Sequence, residues 1–400
     1  MRLRVWCAAA LLACLGAAHA QEVLDAVVPI LEMPVEDGAV VEEESVLVDV
    51  GQPDDSPQPG LEVEPAADAE PYASAFTTCL ENCTEIASGG TPFLVVDSVF
   101  LQRDNATNNQ PIAVHPVRGG ANTVLTSRRL RYDTAPGVRL LYGSRGRNGL
   151  GWEAGYLGLY GMYADSDVVD PNGISVPDAL GSNVPGFSAA RRLRPQYFST
   201  LNVAEANALL TECSRHGDLS ARLPWDRCPH VRTTDLIGGF FWAGLDESAS
   251  LGITPPGAAS TAYAVATTSN LFGAQLGMRR RTEWERFALE GTFKAGVAGS
   301  FLSASADPIT TPLVPGTQYR DSRSLRTTSA GLLSTITITA IYRLNDTWGL
   351  RAGYNMAWLS GLALAPNQWD FTDTPTSGTT LRGAGGLFLQ GASLGLEAGW

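Results

Sequence analysis

The chain has 400 residues, a formal net charge of −13 at pH 7 and 42 glycines, and only 17% of its residues are charged. Such a length usually indicates two or three domains, although all-β barrels often run as one long domain. The sequence contains neither a GxxxxGK[ST] motif nor a basic stripe, so we expect no nucleotide and no nucleic-acid partner.

Residues 1–20 follow the order of a secretory signal peptide. MRLR is basic, VWCAAALLACLGA is apolar but too short to span a bilayer as a helix, and AHA provides an A-x-A cleavage site. We expect export, with cleavage after Ala20. A second interpretation stays open, because LLAC at 11–14 resembles a lipobox and would make Cys14 a lipidated N-terminus.

Residues 21–91 carry the acidity of the chain. They contain 17 Asp or Glu residues, no Lys or Arg, and prolines at 29, 34, 53, 57, 59, 65 and 71. Like charges repel and little of this segment could form a core, so it predicts a disordered, Pro-containing periplasmic tail or linker. The patch VVEEESVLVDV leaves open a partner-binding role beside that of a solvated linker.

From residue 92 onward apolar and polar residues alternate, as they do on strands with two different faces. In one example, Leu350, Ala352 and Tyr354 alternate with Arg351 and Gly353. Ten strands are predicted, at 92–103, 135–144, 149–163, 195–209, 230–246, 264–281, 285–302, 327–343, 346–360 and 382–400.

Alternation alone also fits a soluble β-sandwich, so the strand lengths and connections must discriminate. Many of the predicted strands have ten or more residues, enough to cross a membrane at a tilt. The connections are long at 104–134, 164–194, 247–263, 303–326 and 361–381, and short at 144–148, 281–284 and 344–346. Only 210–229 interrupts this asymmetry, which is typical of outer-membrane barrels.

Aromatic residues support the same interpretation, because they cluster beside the short turns as an interfacial girdle does. The predicted girdle comprises Tyr142, Trp152, Trp284, Phe287, Tyr342, Trp348 and Trp400. Residues 92–400 are therefore predicted to form an all-β, closed antiparallel transmembrane β-barrel of about ten strands, with twelve as the alternative. We expect the protein in the outer membrane, in contact with its lipid.

The apolar strand face should then contact lipid and the small, polar and charged face should line the lumen. The lumen-facing candidates carry both signs of charge: Arg139, Glu153, Glu290, Lys294, Arg351 and Glu397. A ring of about ten strands encloses little more than its own side chains. Salt bridges that fill a narrow lumen and residues that select solutes in a pore are both open interpretations.

Several stretches also resemble a known family. GWEAGYLGLYG at 151–161, LIGGFFWAGLDE at 236–247 and AGYN...W..GLALAPNQ at 352–368 are similar to the planctomycete-type outer-membrane barrel family called beta barrel porin seven. The resemblance covers about 92–400 and implies an outer-membrane location and a porin role. It transfers no catalytic residues, and the acidic segment and the cysteines lie outside the family pattern.

Four cysteines remain after signal cleavage: Cys79, Cys83, Cys213 and Cys228. In an oxidising compartment disulfides are expected, and the local pairings are Cys79 with Cys83 and Cys213 with Cys228. Zinc is the alternative, since His216 and His230 flank the second pair. The acidic run DSDVVD at 165–170, in a predicted loop, is a weaker calcium candidate.

Few residues suited to catalysis are available, because the mature chain has three histidines and no G-x-S-x-G motif. We expect no enzyme and no cofactor, with a Ser/His hydrolase as a remote alternative. The leading function is porin-like passage of small solutes or ions. The alternative is a structural or surface-interaction barrel with a plugged lumen and exposed long loops.

The chain end carries a further expectation. Leu394, Leu396 and Trp400 lie on the apolar face of the last strand, which should pair with the strand at 92–103 and close the sheet. A C-terminal aromatic of this kind resembles the signal read by the barrel assembly machinery, which we therefore expect as a partner.

Overall fold

A computed structural model describes residues 91–400, apart from 106, 118–119, 147–148 and 217–229. The predicted signal peptide and nearly all of the acidic segment lie outside the described residues. Within the described part of the chain, no helix is long and apolar enough to cross a membrane.

The described part of the chain consists mostly of strands. Ten of them are long and form the main sheet: β1 Thr91–Arg103, β4 Thr134–Arg145, β5 Leu150–Asp165, β7 Ala190–His216, β8 His230–Thr254, β9 Thr261–Glu283, β10 Phe287–Ala306, β13 Arg323–Arg343, β14 Trp348–Leu362 and β15 Gly385–Gly399. The connections contain β2 Pro111–Val117, β3 Gly120–Thr126, β6 Val168–Ile174, helix α1 Asp178–Asn183, β11 Ile309–Thr310, β12 Gln318–Arg320 and 3-10 turns at Ser127–Arg129 and Ala365–Gln368.

The ten long strands close into a ring. The order is β5-β4-β1-β15-β14-β13-β10-β9-β8-β7, and β5 also pairs with β7. The last strand pairs with the first from Phe93↔Gly399 to Arg103↔Leu389, antiparallel like the other pairs of the ring. This arrangement confirms the predicted closed antiparallel barrel, with ten strands rather than twelve.

All ten predicted strands are present, but several continue beyond their predicted ends. The predicted long connection 247–263 is wrong, because β8 runs to Thr254 and the link to β9 is only 255–260. Buried Glu247, Ala249 and Leu251 continue to alternate with the less buried Ser250 and Gly252. The other long connections fold locally, into the β2–β3 hairpin, β6 with α1, and the β11–β12 pair.

The outer surface of the barrel is apolar. Large side chains on alternate strand positions are strongly exposed, for example Phe240 at 72%, Leu276 at 74% and Val297 at 66%. Beside the short turns the exposed positions are aromatic, as predicted: Tyr142, Trp152, Phe287, Tyr342, Trp348 and Trp400. A second group of exposed aromatics lies further from the short turns, toward the long connections: Phe100, Tyr160, Phe272 and Phe301.

Inward-facing glycines make room for long charged side chains. A Cβ atom on Gly155 would collide with the side chain of Glu205, and one on Gly277 would collide with Lys294. A Cβ atom on Gly395 would likewise collide with the side chain of Asp97. Part of the high glycine content is thus explained by close packing inside the ring rather than by turns.

The last residue closes the seam of the barrel. The Trp400 N–H donates to the Pro92 carbonyl over 3.2 Å, and the Trp400 side chain is exposed beside the short turns. We expect Trp400→Ala to reduce the amount of heat-modifiable, folded barrel in cells at least several-fold, because a terminal aromatic is the predicted assembly signal.

Trp348→Ala is the matched control, since Trp348 is another exposed tryptophan at the same end of the barrel. Both variants should refold equally well into detergent, where no assembly machinery acts. Equal losses for the two variants in cells would show that Trp400 is only one girdle residue among several.

Candidate functional site in the barrel lumen

The part of the lumen nearer the short turns is filled by charged side chains from all ten strands of the ring. Seven carboxylates and seven cations form ion pairs there, and we call them the ion-pair belt: Asp97, Glu153, Glu205, Asp235, Glu283, Glu290, Glu397, Arg139, Arg145, Arg279, Arg281, Lys294, Arg343 and Arg351. With all groups ionised, the belt is electrically neutral.

Arg351 and Arg281 are the most connected cations of the belt, and each pairs with three carboxylates. Arg351 Nη1 donates to Glu397 Oε2 over 2.6 Å and its Nη2 donates to Glu290 Oε1 over 3.1 Å. Arg281 donates to both oxygens of the same Glu397 carboxylate, at 3.1 and 2.7 Å. Asp97, which Arg139 also contacts, lies 3.7 Å from Arg351 Nε. Each charge is therefore neutralised by partners from other strands.

A second group of belt residues lies across the ring. Arg279 Nη2 donates to Glu153 Oε2 over 2.6 Å and its Nη1 approaches Asp235 at 3.4 Å. The amides of Asn207 and Gln275 connect this group to the Lys294–Glu205 pair, since Gln275 Nε2 donates to Glu205 Oε2 over 2.7 Å. Because the pairs share polar neighbours, a change at one of them is felt by the others.

The structure places all six predicted lumen residues in the ion-pair belt: Arg139, Glu153, Glu290, Lys294, Arg351 and Glu397. Strand alternation predicts that these six side chains face the lumen. The prediction does not include Asp97, Glu205, Asp235 or Arg279, although each of them also lies at an inward-facing position of its strand.

Toward the long connections the lumen is apolar instead. Inward-facing leucines from the barrel wall pack against side chains from the connections, and we call this cluster the apolar plug: Leu159, Leu201, Leu245, Leu271, Leu359 and Leu389 with Ile112, Leu130, Phe187, Leu364 and Trp369. Each is at most 1% exposed. The expectation that small, polar and charged residues line the whole lumen is therefore wrong for this part, because loops fold into the ring and bury its inner surface.

A buried ion pair ties the apolar plug to the barrel wall. Arg103 of β1 contacts Glu247 of β8, and both side chains are at most 1% exposed. Glu247 also accepts from Tyr197 Oη over 2.6 Å and from the Ala365 N–H over 2.9 Å. The Ala363 N–H donates to Ser269 Oγ over 3.0 Å. The connection after β14 is thus held inside the ring by backbone donors and wall acceptors.

Two cavities adjoin the ion-pair belt. One, of about 120 Å³, lies between the belt and the apolar plug and is called the lumenal chamber; Asn355, Lys294 and Leu333 are among its lining residues. The other, of about 200 Å³, opens toward the short turns and is lined in part by Arg281 and Glu283. Both cavities are lined by Val95, Leu141, Arg279, Glu290 and Arg351, and we call the three charged residues of this set the partition between them.

The predicted calcium run does not converge on one point. Asp165 pairs with Arg194 at 3.2 Å, Asp167 with Arg192 at 2.6 Å and Asp170 with His115 at 3.2 Å. The run lies at the end of β5 and the start of β6 rather than in a loop. Hydrogen bonding from the Arg192 guanidinium lowers the pKa of Asp167 below its ordinary value. Within the described ranges no group of three or more His, Cys, Asp and Glu is placed to bind a metal.

The cysteines and the chain end complete the predicted sites. Cys213, on β7, is disulfide-bonded. Cys79, Cys83, Cys228 and the side chains of His216 and His230 lie outside the described residues, so the predicted pairings stay predictions. Leu394 and Leu396 are exposed on the outer face of β15.

The fold and lumen define the chain as a closed ten-stranded antiparallel β-barrel. No protein-family model and no curated protein matches it. Among solved structures, it is similar to the outer membrane protease OmpT from Escherichia coli, at 10% identity and a TM-score of 0.43, covering 78% of this chain and 97% of that one.

It is also similar to the toluene transporter TodX of Pseudomonas putida, at 10% identity and a TM-score of 0.22, covering 78% of this chain and 89% of that one. The anion-selective porin from Comamonas acidovorans matches at 12% identity and a TM-score of 0.14, covering 78% of this chain and 99% of that one. At such scores these similarities carry no argument about activity.

Removing the Arg351 cation from the belt should destabilise the barrel. We expect Arg351→Met to lower the free energy of unfolding by about 3–5 kcal/mol, since it leaves Glu290 and Glu397 short of a partner in a buried setting. Urea unfolding of the refolded barrel, followed by tryptophan fluorescence, measures this. Arg326→Met on the exposed part of β13 is the control and should change stability by less than about 0.5 kcal/mol.

Loss of the Glu247 charge should release the plug. With Glu247→Gln, Arg103 loses its carboxylate and the Ala365 N–H its charged acceptor, so amide exchange at 363–371 should accelerate roughly 10- to 100-fold. Hydrogen exchange read by mass spectrometry gives the rates. Asp246→Asn is the adjacent control, because Asp246 is exposed and accepts from the Thr268 hydroxyl rather than from the connection after β14. Equal exchange in both variants would contradict the role of Glu247.

Proposed function

We propose that the protein is an outer-membrane β-barrel whose lumen is closed. It acts as a plugged barrel that presents its folded long connections on the cell surface. One observation carries this proposal. The leucines that line the lumen toward the long connections are at most 1% exposed, whereas side chains along a water-filled channel would be in contact with water.

The outer face supports a location in the membrane. A closed sheet leaves no unpaired edge, and a band of exposed apolar side chains flanked by aromatics matches the surface that lipid requires. We assign the short-turn end to the periplasm and the long connections to the cell surface. Outer-membrane lipid and the barrel assembly machinery are the partners that this placement implies.

Gated passage of small solutes or ions is the second candidate. It is favoured by the two cavities, which share the partition of Arg279, Glu290 and Arg351 as part of their lining. Ion pairs can exchange partners without leaving a charge uncompensated, so the belt could open if the plug moved. In that case the plug and the belt would be two closures in series.

Conductance in planar bilayers separates these candidates from an open porin. Folded, heat-modifiable wild-type barrel should show no steady conductance, because both closures are in place. Glu247→Gln and Arg351→Met should each give only brief openings, and the combined variant should raise the mean conductance at least about tenfold if the closures act in series.

The matched control combines Asp246→Asn with Arg326→Met. A steady ohmic conductance from the wild-type barrel would defeat the closed-lumen proposal. No conductance from the combined variant, shown to be folded by its gel mobility, would defeat gated passage and leave the plugged barrel.

A further inference from the structure

The lumenal chamber has two chemically different sides. Toward the belt it is lined by four cations and two carboxylates: Arg139, Arg279, Lys294, Arg351, Glu205 and Glu290. Toward the plug it is lined by Val99, Leu101, Leu157, Val203 and Leu333. A molecule held there would meet a cationic surface at one end and hydrocarbon at the other.

An unused donor lies in the chamber wall. Asn355 is 8% exposed, and its Oδ1 accepts from Arg139 Nη1 over 2.7 Å and from Thr337 Oγ1 over 3.2 Å. These two bonds fix the orientation of the amide. Its buried Nδ2 has no hydrogen-bond partner among the described residues. A buried donor without an acceptor is costly, which points to an acceptor atom in the chamber.

The groups around this donor favour an acceptor that carries negative charge. Four cations line the chamber beside it, although each is paired within the belt, and Arg351 Nε also makes no hydrogen bond within the described part of the chain. The Asp97 oxygen nearest to that atom lies 3.7 Å away, too far for one. An incoming carboxylate would accept from Asn355 and would lie beside the cations of the chamber wall.

Size and polarity restrict the rest of the ligand. An apolar cavity of about 150 Å³ holds a molecule of six carbon atoms such as benzene. The chamber, at about 120 Å³, would therefore hold a ligand of about four to six heavy atoms. Its leucine and valine side suits a short alkyl chain, which would bury apolar area against them.

We propose that the lumenal chamber binds a short-chain monocarboxylate of about the size of butyrate. The carboxylate lies at Asn355 Nδ2, and the alkyl chain packs against Leu101 and Leu333. The ligand reaches the chamber through the partition of Arg279, Glu290 and Arg351, which faces the cavity at the short turns.

Isothermal titration calorimetry on the folded full-length barrel in detergent tests this proposal, with butyrate as the probe. We expect saturable binding of butyrate and at least tenfold weaker binding of butylamine, which has the same chain and the opposite charge. Asn355→Leu should weaken butyrate binding roughly 10- to 100-fold, the usual effect of losing a charge-assisted hydrogen bond. Asn202→Leu is the matched control, because Asn202 accepts from Tyr156 on the outer face.

A second variant tests the apolar side without touching the donor. Leu333→Ala enlarges the chamber and should shift the preferred ligand from butyrate to hexanoate. Equal binding of butyrate and butylamine, no saturable binding, or a crystal structure in butyrate with only ordered water in the chamber would overturn the proposal. These measurements need no ion flow, so their failure is distinguishable from a failure of the closed-lumen proposal.

Discussion

The hydrogen bonds between β15 and β1 are the contact on which the remaining architecture depends. They join the end of the chain to its first described strand along eleven residue pairs, from Phe93↔Gly399 to Arg103↔Leu389. A sheet of this length left open would expose two long edges of unpaired backbone groups, which hydrocarbon cannot satisfy. Closure removes both edges, and it also creates an interior that every inward-facing side chain must share.

Different side chains fill this shared interior at the two ends of the barrel. Near the short turns, inward-facing glycines admit long charged side chains, and ten strands contribute to a belt in which cations and carboxylates neutralise one another. Further along, leucines replace the charges and the connections fold inward to cover them. The Arg103–Glu247 pair ties the apolar plug to the barrel wall, because Glu247 also accepts from the connection after β14. Where the belt and the plug meet, the lumenal chamber has one cationic and one apolar side.

Sequence reasoning succeeded where the signal is local. Alternation along each strand has a period of two, so Arg351 and Glu397 could be assigned to one face without knowledge of any partner. The same rule applies to Arg103 and Glu247, but the prediction misses both. Arg103 is the last residue of its predicted strand, and Glu247 lies in a predicted connection. Continuing the alternation through Ala249 and Leu251 would have extended β8 and shown Glu247 facing inward.

The sequence by itself determined the strands, their two faces, the aromatic girdle beside the short turns and the pairing of the chain's end with β1, because each of these follows from residue spacing and connection length. Only the tertiary structure decided which charges pair, as with Arg279 and Glu153, whose hydrogen bond joins residues 126 positions apart. It also decided that the long connections fold into the lumen at their end of the barrel. The physical reason is that backbone periodicity is local, whereas the contents of a closed ring depend on contacts between side chains distant in the chain.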